Sequence, residues 1–266
     1  MSDSFARPGD LGSYDADYVR RHAPRIGRWV RRWFRASVHG LEAVPDRPCL
    51  FVGNHSGATL IPDTLVWIDA YHAARRARPL RVLAHDQMFD GYPEGAARFL
   101  AKMGGLRARH ANAVAALRAG ECVTVYPGGD HDACRTFWRR HEIEFAGRTG
   151  YVEVAREAGV PIVPVVSIGA HEALVVLAEG RKVARALGLP GSHRLTVFPL
   201  TLSLPWGLWL GPLPGYLPLP TKIELMVLPP IDASAGTVDG VDAHVRESLS
   251  YALEAMARMR RWPWIG

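Results

Sequence analysis

Cysteine is scarce, with Cys49, Cys122 and Cys134 the three in a chain of 266 residues. So few, and an odd number, exclude a disulfide framework and point to a reducing compartment. Met1 to Gly12 carries no basic-then-apolar leader, so a cytoplasmic protein is expected. Internal repeats and low-complexity tracts are missing too. An uninterrupted spanning helix is also lacking. The longest uncharged run, Leu195 to Thr221, holds Pro199, Pro205, Pro212, Pro214, Pro218 and Pro220, which would strand backbone carbonyls in hydrocarbon. Around Trp206, Leu208, Trp209 and Leu210 this segment is expected to dip into a membrane interface, wall a lipid groove, or cover the core as a loop.

What is present is core material: 48% of the residues are apolar and 22% charged, enough for one substantial α/β domain without metals or cross-links. The formal charge of +6 is a local feature. Tyr18 to Arg35 contains Arg20, Arg21, Arg25, Arg28, Arg31, Arg32 and Arg35 and no acid; taking these 7 from the 32 basic residues leaves 25 against 26 acids. Ile26, Trp29, Val30, Trp33 and Phe34 share one helical face there and the arginines the other, with Pro24 expected in the first turn. Rings at an acyl boundary with guanidinium groups on lipid phosphates would suit an anionic membrane surface. A solvated surface helix is the plainer reading. Nucleic acid is disfavoured, because the remaining chain is charge-balanced and carries no groove-reading motif. Residues 1–37 are therefore read as a basic amphipathic membrane-contacting segment and 38–266 as the main domain.

Short apolar runs at Cys49–Val52, Leu80–Ala84, Cys122–Tyr126, Ile162–Ile168 and Ile223–Leu228 read as buried strands. Helical stretches alternate with them at Pro62–Arg76, Glu94–Met103, Ala111–Arg118, Gly150–Ala158, Ala170–Leu187 and Val238–Arg260. Val241, Val245, Leu249, Leu253 and Met256 give the last of these a core face, with Trp262 and Trp264 beyond it. Such alternation predicts a mostly parallel central sheet flanked by helices. Pro164, inside an apolar run, suits a strand edge or bulge. Chemistry in such folds sits beyond the carboxyl ends of the strands, which singles out Gly53–Asp63 and Pro127–Arg135.

In the first loop His55 emerges from Leu50-Phe51-Val52 into Gly53-Asn54-His55-Ser56-Gly57, and Asp63 follows at a helix start. An aspartate returning there can hold the second ring nitrogen, fixing the tautomer and steadying an imidazolium, as a general base requires. Asp63 as a helix cap and His55 as a core residue are the plainer alternatives.

Five motifs in order resemble the glycerolipid acyltransferases, the superfamily of the 1-acylglycerol-3-phosphate acyltransferases and their diacylglycerol acyltransferase-like branch. They are Gly40-Leu41-Glu42-Ala43-Val44-Pro45, Val52-Gly53-Asn54-His55, Val125-Tyr126-Pro127-Gly128-Gly129, Arg148-Thr149-Gly150-Tyr151 and Val160-Pro161-Ile162-Val163-Pro164-Val165. The resemblance runs from about Val38 to Pro230. It implies a glycerol-3-phosphate acyltransferase-like α/β fold with an N-terminal amphipathic helix, and a peripheral membrane O-acyltransferase. That enzyme moves a fatty acyl group from an acyl-CoA or acyl carrier protein thioester to a lysophospholipid hydroxyl, with no cofactor or metal. His55 would be the base and Asp63 its partner. Asn54, Ser56, Gly57, Arg109, Pro127, Gly128, Gly129, Asp130, His131 and Arg148 would line the substrates, with a Gly128-Gly129 amide facing the oxyanion.

This sequence departs from the family at informative places. The aspartate is usual five residues after the histidine, where Leu60 stands here, so either a longer turn delivers Asp63 or the dyad differs; Asp69 is a weaker substitute. Gly128 and His131 replace a glutamate and an arginine of the phosphate-contacting motif, which favours the neutral-acceptor branch, although Arg109, Arg135 and Arg148 could still pair with phosphate. Asp130, His131, Asp132, Cys134 and His141 match no zinc spacing. Ser56 lacks the Gly-x-Ser-x-Gly turn of a nucleophile. The alternatives are a neutral acceptor such as diacylglycerol or a long-chain alcohol, a non-catalytic lipid-binding protein, and a thioesterase.

Overall fold

The computed structural model describes residues 7–57, 60–74, 77–192, 196–211, 215–260 and 262, with the side chains of 190 and 192 left aside. Leu195, Pro212, Pro214, Trp264 and the expected helix end at Arg76 lie outside these residues. The strands are β1 (Ser37–His39), β2 (Leu50–Gly53), β3 (Leu80–Ala84), β4 (Gly105–Arg107), β5 (Cys122–Val125), β6 (Ile162–Ile168), β7 (Val175–Ala178), β8 (Leu200–Ser203), β9 (Gly207–Leu210) and β10 (Glu224–Val227). The helices are α1 (Ala16–Trp33), α2 (Pro62–Ala73), α3 (Gln87–Asp90), α4 (Glu94–Lys102), α5 (His110–Arg118), α6 (Gly129–Ala133), α7 (Gly150–Ala158), α8 (Arg181–Ala186), α9 (Leu189–Ser192) and α10 (Val238–Met259).

Among the described residues seven strands form the central sheet in the order β1-β10-β6-β2-β5-β3-β4, neighbours running parallel except where β10 runs against β6. Both faces are covered, which is why the central strands read as unbroken apolar runs. Leu50, Val52, Ile162 and Val166 point towards α5, α7 and α10, and the expected face of α10 from Val241 to Met256 is in that core. Phe51, Val163, Val165 and Leu225 point the other way, against Val30, Phe34, Val66 and Trp67 of the α1 and α2 layer.

α1 begins earlier than expected. Asp15 caps it by accepting from the Tyr18 amide, so Pro24 lies inside the helix on its exposed side rather than in the first turn. Proline removes one donor from the helix there. Most of the apolar face, Val19, Ala23, Val30 and Phe34, is buried against the domain; Trp29 is exposed, and so are the seven arginines.

Two expectations fail for local reasons, and two strands, β1 and β4, are not expected from the sequence because they are too short to show a period. The helix expected over Ala170–Leu187 is instead a single helical turn, β7 and α8. Leu174 and Val176 pack on Trp209 and Tyr216, and Gly180 is left-handed and admits no side chain, since a Cβ there would meet the Phe198 carbonyl at 1.9 Å. Short apolar runs do not separate strand from helix by period alone. Finally, β8 and β9 form a hairpin that joins β7 in a separate antiparallel sheet, from the segment expected to be irregular. Pro164 lies in an interior strand. Between the Ile162–Ile231 bridge and the Val165–Val227 pair the returning chain carries one extra residue, so Pro164 sits at a bulge, its carbonyl accepting from Leu228.

Candidate active site

The neighbouring parallel strands β2 and β5 end side by side, so the two loops picked out in the sequence meet. β2 delivers His55 and β5 delivers Tyr126. Their rings stack with centroids 4.5 Å apart. Gly53 permits this, since a Cβ there would stand 2.9 Å from the Tyr126 ring. From Ser56 the chain turns through Gly57, at φ +81°, and Ile61, at φ +43°, into Pro62 at the head of α2. This longer turn brings Asp63 back beneath His55: Asp63 Oδ2 lies 3.9 Å from His55 Nδ1, and neither atom has another partner. Oδ1 accepts the Thr64 amide at 2.7 Å, and both the side chain and the backbone of Ser56 bond the same carboxylate. Asp69 is elsewhere, paired with Arg31 of α1.

Both groups are taken from water, and burial disfavours the charged form of each. Asp63 is pushed up to about 7 despite its hydrogen bonds. His55 is held down to about 4, first by desolvation and then by the nearby Arg135 guanidinium. The imidazole is therefore neutral near pH 7, with Nδ1 towards Asp63 and Nε2 left for a substrate.

A buried ion pair that spacing alone does not reveal fixes the His55 backbone. Asp132 in α6 accepts the His55 N–H on one carboxylate oxygen; the other accepts the Glu144 amide at 3.1 Å and pairs ionically with the Arg135 guanidinium. Arg135 reaches His171 Nε2 at 2.7 Å, and His171 hydrogen-bonds the His55 backbone in turn. Asp132, Arg135 and His171 are almost completely buried. Arg135, expected as a possible phosphate partner, is instead buried and spent on Asp132, which stands out in the sequence only as a member of a charged loop; nothing there marks His171.

His55 faces a cavity of about 840 Å³, large enough for a lipid-sized molecule and walled mainly by apolar side chains. It runs from Tyr126 and Ala133 past Leu83 and Ala113 to Ile26, Phe99 and Met103. Of the residues expected to touch substrate, Arg109, Pro127, Gly129, Asp130 and Arg148 line it. Arg148 also donates to the Pro127 and Gly128 carbonyls, and Asp130 clasps the amide and hydroxyl of Thr196.

Asn54, Ser56, Gly57, Gly128 and His131 do not line it. The Asn54 amide is spent on both backbone groups of Ser167, at 2.8 Å each, and so ties the loop to β6. Gly57 accepts from the Tyr216 hydroxyl. Gly128 is a packing requirement, since a Cβ would lie 2.2 Å from the Glu144 carbonyl and 2.3 Å from the Asp132 side chain. No glutamate fits there. Among the described residues no cluster of His, Cys, Asp and Glu could hold a metal ion.

The acyltransferase family model matches residues 35–168. An uncharacterised protein of Mycobacterium tuberculosis is 31% identical over 249 residues, 90% of this chain and 66% of its own length. A Gallus gallus protein described as a DGAT1/2-independent enzyme synthesizing storage lipids is 29% identical over 157 residues, 59% of this chain and 45% of its own. The chain thus spans less than two thirds of these relatives. In fold it is similar to the crystal structure of the 1-acyl-sn-glycerophosphate acyltransferase PlsC of Thermotoga maritima, with a TM-score of 0.55 at 18% identity, covering 91% of this chain and 83% of that one.

Proposed function

Because this chain belongs to the acyltransferase family, we propose that it moves a fatty acyl group from an acyl thioester, of coenzyme A or acyl carrier protein, to a lipid hydroxyl, with His55 as general base. The observation that carries this reading is the His55–Asp63 pair opening onto a lipid-sized apolar cavity. Nε2 takes the proton as the hydroxyl oxygen attacks the thioester carbonyl. Asp63, once ionised, balances the imidazolium that forms. When the tetrahedral intermediate collapses, the carbon–sulfur bond breaks and the imidazolium returns its proton to the departing sulfur. No acyl-enzyme is required. The closeness of the two groups argues against a fold that has lost its reaction.

The acceptor in this reading is a lysophospholipid, its phosphate met at the cavity rim by Arg109 and Arg148. A neutral acceptor, such as diacylglycerol or a long-chain alcohol, is the second reading. It is favoured by Gly128, which admits no larger residue, and by Arg148 already being engaged with Asp130 at 3.5 Å. Peripheral contact with an anionic membrane on the cytoplasmic side, through the arginines of α1, belongs to the same proposal. No helix among the described residues is long and apolar enough to cross a membrane.

The test is transfer from a labelled acyl thioester to a panel of lysophospholipids, diacylglycerol and long-chain alcohols, by wild type and His55→Ala. Full activity in the variant overturns the assignment, and release of free fatty acid without any acceptor would make the protein a thioesterase.

A further inference from the structure

The sheet of β7, β8 and β9 is built inside out. Along β8 the polar Thr201 and Ser203 are buried while Leu202 and Leu204 are exposed; along β9 Leu208 and Leu210 are exposed on either side of Trp209, which packs on Leu174 and Val176. Register places Leu202 opposite Leu208 and Leu200 opposite Leu210, so these leucines share one face. A sheet with one wet face shows the reverse pattern, and a slip of one residue would restore it. Polar bonding explains the inversion only in part: the buried Thr201 hydroxyl donates to the Trp209 carbonyl at 3.4 Å, but the buried Ser203 hydroxyl has no partner among the described residues. β9 is moreover an edge strand with no charge, the kind of edge that soluble proteins blunt.

We propose that the outer face of β8 and β9 is a membrane-docking surface that rests on an anionic bilayer, a second contact beyond the arginines of α1. The occupant is argued from what adjoins the face. Leu217 bridges to Leu204, and the next residue, Pro218, accepts from the Trp33 indole at 2.9 Å, so the leucines run on to the end of α1. There Trp29 is exposed and the exposed Arg28 and Arg32 flank it. Apolar side chains beside tryptophan and arginine match acyl chains beneath anionic headgroups, whereas α1 alone has spent most of its apolar face on the domain.

The experiment is flotation of the full chain with vesicles of phosphatidylcholine alone and of phosphatidylcholine mixed with phosphatidylglycerol, without substrate. Leu208→Thr with Leu210→Thr keeps strand-forming side chains on an exposed face and should cut vesicle partitioning about tenfold or more. Leu204→Ser with Leu217→Ser is the second variant, with the same direction expected. Arg28→Gln with Arg32→Gln should remove only the gain from phosphatidylglycerol, roughly fivefold per charge. Tyr251→Ser, an exposed aromatic of α10, is the control and should bind as wild type does. Unchanged partitioning of both leucine variants overturns the proposal. So does an equal loss in the control, or self-association that the leucine variants abolish while still floating, which would make this face a contact between copies of the chain. His55→Ala should float like wild type, so a failure of docking and a failure of acyl transfer are read separately.

Discussion

Asp63 Oδ2 and His55 Nδ1 face each other at 3.9 Å, both buried and both without another partner among the described residues, although seven residues stand between them in the chain, including the left-handed Gly57 and Ile61. These two left-handed residues, on either side of the turn, return the chain so that Asp63 meets His55. The dyad therefore depends on backbone conformation as much as on the two side chains.

His55→Ala and Asp63→Asn should each lower kcat/KM roughly 10²–10⁴-fold, the range for a lost general base or its partner, with near-native thermal stability. Since Asp63 ionises at about 7 and only its carboxylate can balance the imidazolium, wild-type kcat/KM should climb through neutral pH and level off above it. In Asp63→Asn that limb should vanish. A wild-type profile that is flat from pH 6 to 8 would remove Asp63 from this role.

Stability gives a separate reading of the same pair. Between the usual carboxylate value of 3.8 and about 7, the folded chain keeps a proton on Asp63 that the unfolded chain has lost, so this group lowers stability as pH rises through that window. His55 does the opposite. Between about 4 and the usual 6.5 the unfolded chain holds a proton that the folded chain excludes, so its contribution grows with pH. In wild type the two slopes largely cancel. Asp63→Asn deletes the falling one, so the stability of the variant relative to wild type should rise from pH 4 to 6.5 in chemical denaturation; a constant difference would contradict these charge states.

Asp132→Asn leaves the Arg135 guanidinium buried without its counter-charge, and should cost roughly 3–5 kcal/mol. Asp132→Leu with Arg135→Met removes both charges and should recover much of that stability. Activity should stay low, since the His55 amide has then lost its acceptor. A double variant with restored stability and full kcat would show that the ion pair serves the fold alone.

Gly128→Ala should destabilise by roughly 1–3 kcal/mol or more, because its Cβ would need space held by the Glu144 carbonyl and the Asp132 side chain. Gly128→Glu, which would restore the phosphate-motif residue, should fare worse and gain no activity towards lysophospholipids. Thermal shift and a lysophospholipid assay check both.

How much of this could be read from the chain varied with the physical signal. The buried strands from Leu80 to Ala84 and from Ile162 to Ile168 were legible, because a strand covered on both faces is mostly apolar; the buried Arg81, which faces Glu121, and Ser167 are the exceptions. His55 was marked by its loop, and Asp63 by its place at a helix start. The substrate set was less legible. Asn54 and Gly128 sit in the motifs for reasons of packing and backbone bonding, and a motif does not tell a residue that touches substrate from one that holds the loop.

Local composition and period thus determined the longer strands of the central sheet, most of its helical cover, the arginine row and the choice of His55 as the candidate base. Only tertiary structure decided that Asp63 rather than Asp69 stands behind His55, that Asp132, Arg135 and His171 clamp its backbone, and that the leucines of β8 and β9 turn outward. Each of these depends on which distant segments meet. Charge, burial and register are set by neighbours far away in sequence, and periodicity within one segment carries no record of them.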